Sequence, residues 1–559
     1  LFFHNHCLFC LLLVNFDIDG ICACKILQNL LKNDNMVYTL VPVQGVEDLV
    51  SAYEENGKDV RYVILINCGG TLDIVELLQP PEETIFFILD SHRPFDLTNV
   101  YSEQQIQILY KPDNDDDIPE YNDIYRDDSS DEEEPQGESD DDGESRQAKR
   151  RRLNEEDIIK RRERRQWEEN KDAIFFNYLQ YSYYGKSSAV MMFEMAWKMS
   201  KDSLDMAWWA IIGATEQSIL NKVESRISVL EAGSLQSHVS RLTHRQGVDA
   251  ESQQHSAVKV TYDRDLQLAL YRHWTVEASL KHSMATAVAL RLWSLRGEKR
   301  LKELLAEMGL PLAQSRQKFS AMDLSLRNEF RQMVEKLASK YNVDSIVGAS
   351  FTLQYGYRFK YCAADVVYAM LAERSVTSHI TPPQRCFLDA LDCLSRINRK
   401  EGLEAGVERA KLMLSNIYKT AQGILEMKQV VNTGGALLYV MIPEGTLDSR
   451  LFAHPHPLMM LAQFTLRAYV DSSRNRRAPT WPLVASAIFS PEEGTCLVVG
   501  VPPICEDPPR SLFGRAFGRA AEMTNLKKYD DFFVVVVIRL KIEERAKFFD
   551  SLVALLSET

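Results

Sequence analysis

The sequence predicts an α/β protein with a parallel sheet at its N-terminal end. Three observations predict this class: strand-like apolar runs alternate with helix-like stretches over the first hundred residues, the links between them are short, and the runs are largely apolar throughout. Strands of parallel sheets are buried on both faces and therefore read as continuous apolar runs. The 559 residues, 45% hydrophobic and 26% charged, suit a soluble globular chain of about three domains.

The N-terminal elements follow one another in the order that such a sheet requires. The run LLLVNF predicts the first strand, and residues 20–31 predict a helix because Ile21, Cys24, Leu27 and Leu31 recur at helical spacing. YTLVPV predicts a second strand, EDLVSAYEEN a helix, YVILIN a third strand, TLDIVELL a short helix and IFFILD a fourth strand. Ligands of open parallel sheets bind at the carboxyl ends of the strands, so polar residues directly after these runs are the candidate site.

An acidic segment follows the sheet and carries the net charge. Residues 113–145 contain 17 Asp and Glu and one Arg, a local charge of −16 within a total of −14, so the rest of the chain carries about +2. Such a segment cannot bury enough apolar surface to fold alone, and we expect disorder over about 113–147. Three serines there precede an acid by three residues, as acidophilic kinases prefer, and are phosphorylation candidates: Ser129, Ser130 and Ser139.

Two basic clusters follow the acidic segment, the second of them inside a predicted charged helix. Exposed clusters of this kind serve as nuclear import signals, as nucleic-acid patches or as solvated helix faces, and the first interpretation leads. The import candidates are Lys149, Arg150, Arg151, Arg152, Lys160, Arg161, Arg162, Arg164 and Arg165.

The remainder of the chain predicts a helical middle and a mixed α/β end. Helical patterns dominate residues 186–345, most clearly KRLKELLAEMGLPL, where Leu301, Leu304, Leu305 and Met308 share a face before Gly309 and Pro311 stop the helix. Ser187 or Ser188 is expected to cap a helix that begins at YYGKSSAVMMFEMAW. In the last third, ALLYVMI and FFVVVVIRL predict strands and EERAKFFDSLVALL a closing helix.

Membrane insertion and disulfide chemistry find no support in the sequence. Its apolar stretches fall short of the ~18 residues that a membrane span requires. The ten cysteines show no paired spacing, which favours an intracellular protein with reduced thiols.

Two aspartates after the first strand raise the question of a metal site. In VNFDIDG, Asp17 and Asp19 would point the same way if the strand continued through them. Two carboxylates on one face repel each other unless a cation lies between them. Asn67 and Asp90 also follow strands, so the pattern indicates a metal-dependent phosphate site or the remains of one.

These positions resemble the motifs of the DHH phosphoesterase superfamily, which includes the RecJ single-strand exonucleases. The first motif of that family has a His four residues before an Asp-x-Asp pair; here Asp17 and Asp19 are present but position 13 is Leu13. The second motif ends a strand with Asp, where this chain has Asn67. The third motif is Asp-His-His, here Asp90, Ser91 and His92, and a further metal-binding Asp aligns with Glu216.

The departures from those motifs remove metal ligands. Asn67 offers a neutral carbonyl, Ser91 is a poor substitute for an imidazole, and Leu13 cannot ligate at all. We therefore expect no bimetallic centre, no cofactor and no hydrolysis, while a single weakly bound cation stays compatible with the residues. A Gly-rich signature of the family's substrate-binding domain is also incomplete, because NTGGALLYV at 432–440 contains no His.

A narrower resemblance covers nearly the whole chain from about residue 14 onward. CACKIL, LINCGG, DSHRP, the acidic-then-basic insert, WWAIIG, MGLPLAQSRQKFSAMD and FGRAFGRAAE occur in an order similar to that of the cell division control protein 45 family, the degenerate RecJ-like replication factors of eukaryotes. The resemblance implies a DHH-like domain (1–112 and 166–235), the acidic insert with its basic clusters (113–165), a helical insertion for partner docking (236–374) and a DHHA1-like α/β domain (375–559).

The same resemblance implies a role. The family joins the minichromosome-maintenance ring and the GINS complex in the replicative helicase, and it acts in initiation and elongation of DNA replication. We accordingly expect a nuclear, non-enzymatic scaffold subunit that meets other replication-fork proteins and no membrane. Single-stranded DNA is a further expected partner through the old substrate groove, and an active metal-dependent single-strand exonuclease is the alternative function.

Overall fold

The computed structural model describes most of the chain. Its described residues are 9–58, 60–102, 104–110, 118–125, 162–249, 258–343, 346–355, 359–376, 382–395, 399–446, 448–504, 510–526, 532–534 and 536–558. They belong to two compact units: Leu1–Tyr110 with Ser182–Thr559 form the first, and Lys111–Tyr181 form the second.

The first unit begins with the parallel sheet that the sequence predicts, which confirms the α/β fold class. The strand order is β2-β1-β3-β4-β6, and every neighbouring pair is parallel. Its strands are β1 Phe9–Asn15, β2 Val37–Val43, β3 Tyr62–Ile66, β4 Ile85–Leu89 and β6 Ile106–Ile108, with the short β5 His92–Arg93 outside the sheet. The helices are α1 Ile18–Asn33, α2 Val46–Asn56, α3 Ile74–Leu78 and α4 Leu97–Tyr101. The edge strand β6 was not predicted.

Strand β1 shows why the apolar runs are continuous. Leu12 and Val14 lie in one apolar core, while Leu11 and Leu13 lie in a second core. Because side chains alternate across a strand, each face of the sheet is covered by a different core. A strand buried on both faces needs apolar residues at successive positions, and this is the pattern in LLLV.

The second unit contains the described part of the acidic insert. Its helices are α5 Tyr121–Ile124 and α6, residues 162–178. Helix α5 lies inside the range 113–147 for which the sequence predicts disorder, and its Ile124 is buried. The rest of the insert lies outside the described residues.

The chain re-enters the first unit at β7 Tyr183–Tyr184 and then forms α7 Ser188–Lys198, α8 Leu204–Ile219 and α9 Ser225–Asp249. Ser187 is the N-cap of α7, since its Oγ accepts a hydrogen bond from the Val190 N–H at 3.3 Å.

Helices α1, α7 and α8 pack on one another beside the sheet. Gly213 makes this packing close, because a methyl group there would lie 2.7 Å from Asp19 Oδ1 and 2.7 Å from Ala189 Cβ.

The predicted helical insertion also contains a sheet that the sequence pattern did not indicate. Strands β8 Val258–Leu266, β9 Val347–Tyr355 and β10 Phe359–Cys362 pair antiparallel in the order β10-β9-β8. The helices between them are α10 Val276–His282, α11 Met284–Leu290, α12 Leu295–Glu307, α13 Leu312–Ser315 and α14 Leu324–Ala338. In α12 the predicted face is buried (Leu301, Leu304 and Leu305), and Gly309 follows with a φ of 70°.

The C-terminal part is mixed α/β, as predicted. Its helices are α15 Ala363–Val376, α16 Pro383–Cys393, α17 Arg399–Glu426, α18 Pro455–Ser472, α19 Phe513–Met523 and α20 Arg545–Glu558. Its strands are β11 Val431–Asn432, β12 Leu438–Met441, β13 Leu483–Ser490, β14 Thr495–Val501 and β15 Val537–Lys541, in sequential order within one sheet. Only the β12–β13 pair of this sheet is parallel. Within the described ranges, no helix is long and apolar enough to cross a membrane.

Replacing Gly213 with alanine tests whether this glycine is required for the close packing of α8. We expect Gly213→Ala to lower the melting temperature, although alanine favours helix by about 1 kcal/mol over glycine, because the added methyl would meet Asp19 and Ala189. The matched control is Gly423→Ala in α17, where the space is open and the melting temperature should hold or rise. Thermal denaturation measures both variants, and equal responses would contradict the close-packing argument.

Candidate functional site

The predicted site residues that follow the strands meet at the carboxyl edge of the N-terminal sheet. Asp17 comes after β1, Asn67 directly after β3 and Asp90 directly after β4. Asp19 and Glu216 join them from helices α1 and α8. We call the four acids Asp17, Asp19, Asp90 and Glu216 the acidic cluster; each is at most 3% exposed.

The two aspartates of the Asp-x-Asp pair do not lie on a strand, and that part of the interpretation was wrong. Strand β1 ends at Asn15, and Asp17 is the N-cap of α1, where its Oδ1 accepts a hydrogen bond from the Gly20 N–H at 2.8 Å. Asp19 lies in the first turn of that helix. An Asp caps helix N-termini well because it accepts from otherwise unpaired backbone N–H groups, which is why the strand ends two residues before it.

Asp19 is held by the N-terminus of α7. The Ser187 hydroxyl donates to its Oδ1 at 2.5 Å, the Ala189 N–H donates to the same atom at 3.0 Å, and the Ser188 N–H donates to Oδ2 at 2.8 Å. Helix N-termini favour negative charge through their free N–H groups and dipole. The carboxylate of Asp19 is therefore compensated by protein donors.

The Asn67 side chain connects the two aspartates as a hydrogen-bond donor rather than as a metal ligand. Its Nδ2 lies 2.8 Å from Asp17 Oδ2 and 3.4 Å from Asp19 Oδ2, while its Oδ1 accepts from the Ser91 N–H at 3.1 Å and the Ser188 hydroxyl at 2.5 Å. A backbone N–H can only donate, so the amide oxygen must face Ser91 and the NH₂ group must face the carboxylates. The amide thus supplies a hydrogen-bond donor between two acids.

Asp90 is paired with His92. The Nδ1 of His92 lies 2.7 Å from Asp90 Oδ1, and the N–H groups of Gly69 and Gly70 donate to Oδ2 at 3.2 and 2.8 Å. Burial disfavours both charged forms, yet the contact outweighs it: His92 lowers the pKa of Asp90, and Asp90 raises the pKa of His92. The pair therefore stabilises the imidazolium form of His92, whose buried Nε2 has no hydrogen-bond partner among the described residues.

Glu216 forms an ion pair that the sequence analysis missed. Its Oε1 lies 2.8 Å from Lys222 Nζ, and the Lys222 side chain is 10% exposed. Burial raises the pKa of Glu216 to about 7; Lys222 opposes the rise, whereas Asp17 and Asp19 add to it. No spacing rule relates these residues, because the lysine follows a turn after α8, and only the tertiary structure shows the pair.

Two further motif positions, Leu13 and Ser91, lie in different parts of the structure. The Leu13 side chain packs in the second core, and its backbone carbonyl accepts from the Cys68 Sγ–H at 3.2 Å. Ser91 is buried, with its N–H donating to Asn67 and its carbonyl accepting from the Gly185 N–H at 2.8 Å. Leu13 therefore belongs to the core, whereas the Ser91 backbone belongs to the site.

The residues of this site do not fit a metal ion. Each carboxylate oxygen of Asp17, Asp19 and Asp90 accepts a hydrogen bond from a protein donor, so the protein itself compensates these acids. A divalent ion needs several oxygen or nitrogen lone pairs directed at one point. Among the described residues, no group of three or more His, Cys, Asp and Glu is arranged to hold one.

Two cavities adjoin the site, where the N-terminal sheet faces α18 and the C-terminal sheet. The first, of about 90 Å³, is lined among others by His92, Tyr184 and Lys222. The second, of about 270 Å³, is lined among others by Asp17 and Gln44. Both include His456 of α18, so they follow one cleft along the edge of the acidic cluster.

The remaining sequence candidates lie in the second unit or outside the described residues. Arg162, Arg164 and Arg165 are exposed on α6, and Arg164 Nε lies 3.2 Å from Glu168 Oε1. Import, nucleic-acid binding and a solvated face each require exposed side chains, so all three interpretations stay predictions. The candidates outside the described residues are Ser129, Ser130, Ser139, Lys149, Arg150, Arg151, Arg152, Lys160 and Arg161.

Comparison with known proteins places this geometry in a family. The family model described as CDC45 matches residues 10–146 and 111–555. The cell division control protein 45 homolog of Mus musculus is 43% identical over 556 residues, which cover 98% of this chain and 97% of that protein, and the Homo sapiens homolog matches to the same extent. The crystal structure of CDC45 from Entamoeba histolytica superposes with a TM-score of 0.69 at 23% identity, covering 98% of this chain and 95% of that one.

The shared fold first defines a class, that of mixed α/β proteins with an N-terminal parallel sheet and a second sheet near the C-terminus. Within that class, the chain belongs to the CDC45 family. The resemblance noted in the motifs is thereby confirmed, and the membership makes this chain a DNA replication factor.

An Asn67→Asp variant tests the role of the amide donor. Aspartate has the same shape and tolerates the left-handed φ of 54° at this position, but it replaces the donor with a third carboxylate. We expect a loss of about 3 kcal/mol in the free energy of unfolding at neutral pH, the typical cost of an uncompensated buried charge. Denaturant unfolding should show a smaller loss at acidic pH, where the new carboxyl is protonated; stability equal to the wild type at both pH values would contradict this role.

The His92–Asp90 pair predicts a pH dependence. Because Asp90 raises the pKa of His92 above the ordinary value of 6.5, the stabilisation is complete below pH 6.5 and is lost as the pH rises through the folded-state pKa. The melting-temperature difference between the wild type and His92→Gln should therefore shrink from mildly acidic to alkaline pH. A difference that stays constant over that range would show that His92 acts as a neutral side chain.

Proposed function

We propose that this chain is a non-catalytic subunit of the eukaryotic replicative DNA helicase, acting in the nucleus with the minichromosome-maintenance ring and the GINS complex. In this role it is required for initiation and elongation of DNA replication. Membership of the CDC45 family supports the replication role. The observation that carries the non-catalytic part is the Asn67 amide, which donates between Asp17 and Asp19.

The hydrogen bonds of the site support the absence of hydrolysis. Metal-dependent phosphoester hydrolysis needs ions that activate water and neutralise the charge of the transition state. Here Asp17 and Asp19 accept from Asn67 and from helix N-termini, and Asp90 accepts from His92 and backbone N–H groups. Protein donors thus compensate these three carboxylates, which supports a stabilising rather than a catalytic role for the site.

Exposed apolar side chains support a scaffold role. In the helical middle of the chain, Val229 and Leu230 of α9 are 66% and 67% exposed, and Leu295 of α12 is 82% exposed. Contiguous exposed apolar side chains commonly mark protein interfaces, and Val229 and Leu230 are adjacent in the chain. We propose that the helices of this region dock the partner subunits and so stabilise the closed ring.

Single-stranded DNA binding in the cleft remains a prediction within the same proposal. The first cavity is lined by aromatic and basic side chains, including Tyr183, Tyr184 and Arg93. Aromatic faces stack on bases and cations attract the phosphate backbone, with an affinity that falls as salt rises.

A nuclease and unwinding experiment tests the proposal. The purified chain and an Asp17→Ala variant are incubated with end-labelled single-stranded DNA and Mn²⁺, and each is also mixed with the minichromosome-maintenance ring and GINS on a forked duplex. We expect no cleavage by either protein and unwinding only in mixtures that contain the chain.

Either of two results would overturn the proposal. Cleavage by the wild type but not by Asp17→Ala would establish the alternative, an active metal-dependent single-strand exonuclease. Unwinding by the ring and GINS that is unaffected by the chain would remove the helicase-subunit role.

A further inference from the structure

A buried ammonium group, that of Lys222, contacts the acidic cluster. Lys222 Nζ lies 2.8 Å from Glu216 Oε1 and 4.7 Å from the centre of the Tyr184 ring. Burial disfavours the charged lysine, but Glu216, Tyr184 and Asp17 together raise its pKa above the ordinary value. The lysine is therefore charged in the folded protein, within a cluster of four acids.

The backbone positions this lysine specifically. Helix α8 ends at Ile219, and Asn221 takes a left-handed φ of 52°, which reverses the chain so that Lys222 N–H donates to the Gln217 carbonyl at 2.9 Å. The turn is fixed from outside by α18: Gln463 Nε2 donates to the Leu220 carbonyl at 2.9 Å and Arg467 Nη2 donates to Asn221 Oδ1 at 3.0 Å. Contacts from a distant helix thus direct the lysine back towards Glu216.

The charges around the cluster show why an internal cation is needed. Asp90 has His92 as its partner, and Asp19 has the N-terminus of α7. Among the described residues, the hydrogen-bond donors to Asp17 are the Gly20 N–H and the Asn67 amide, both neutral. Burial raises the pKa of Asp17, and Lys222 is the largest influence that lowers it. The ammonium therefore acts on Asp17 as well as on its direct partner Glu216.

We propose that Lys222 is the resident cation of this centre, a fixed ammonium that supplies the positive charge a divalent ion would otherwise have to supply. The acidic cluster is then stable without metal, and its stability is independent of the partners proposed above. Lysine carries one positive charge at a single position, so it stabilises the buried acids without the open coordination sites that activate water. Glu216, the position aligned with a metal-binding Asp, binds this lysine instead of an ion.

Thermal denaturation of the full-length chain with EDTA or millimolar MnCl₂ tests the proposal. The wild type should show the same melting temperature in both buffers. Lys222→Met should melt about 5 °C lower or more at neutral pH, because acids are left uncompensated, and the loss should shrink at acidic pH, where those acids are protonated. The matched control Lys201→Met removes a partly exposed lysine paired with Asp34 and should change little in either buffer.

Two further variants keep the test decisive if Lys222→Met does not fold. Lys222→Arg retains the charge and should melt near the wild type without a response to Mn²⁺. Glu216→Gln should lower the melting temperature less than the loss of the lysine does, since Asp17 still compensates the ammonium. A larger fall in Glu216→Gln would mean that Lys222 serves Glu216 alone, and the proposal would fail.

Other results would also overturn the proposal. A saturable rise in the melting temperature of the wild type with Mn²⁺ would show that a metal is the cation of the site. A Lys222→Met variant as stable as the wild type, or one whose loss of stability is the same at neutral and acidic pH, would show that the acidic cluster does not depend on a positive charge at this position.

Discussion

The compensation of buried negative charge is the constraint on which the arrangement at the sheet edge depends. Four carboxylates are buried within one region, and burying a carboxylate without partners costs several kcal/mol. Elements distant in sequence meet this requirement: the N-termini of α1 and α7 donate N–H groups, the residue after β3 donates an amide, and the turn after α8 brings a lysine. The same contacts hold the sheet, α1, α7 and α8 together.

These donors also decide what the centre can do. A phosphoesterase centre would leave its carboxylate lone pairs open to metal ions and water, whereas here they accept hydrogen bonds from the protein. Asn67 is the clearest case, because one amide group satisfies Asp17 and Asp19 on one side and Ser91 and Ser188 on the other. The amide of Asn67 thus helps to stabilise the acidic cluster from within the protein.

Close packing connects the acidic cluster to other helices of the first unit. Gly213 allows α8 to approach Asp19 and Ala189, and α18 fixes the turn that carries Lys222 through Gln463 and Arg467. The C-terminal part of the chain thereby helps to position a side chain of the N-terminal site. The cleft between them is lined by residues of both parts.

Local sequence determined the strands and helix ends that have a strong apolar or capping pattern. The apolar runs of β1, β3 and β4 predicted a parallel sheet, and the positions of Asp17, Asn67 and Asp90 after those strands predicted that they meet. Ser187 and Gly309 marked helix ends through their capping preferences. Tertiary structure alone decided the rest. Strands β8 and β9 are separated by some eighty residues, and Lys222 reaches Glu216 through a turn held by α18, because such pairings depend on contacts between distant segments and leave no periodic pattern in the chain.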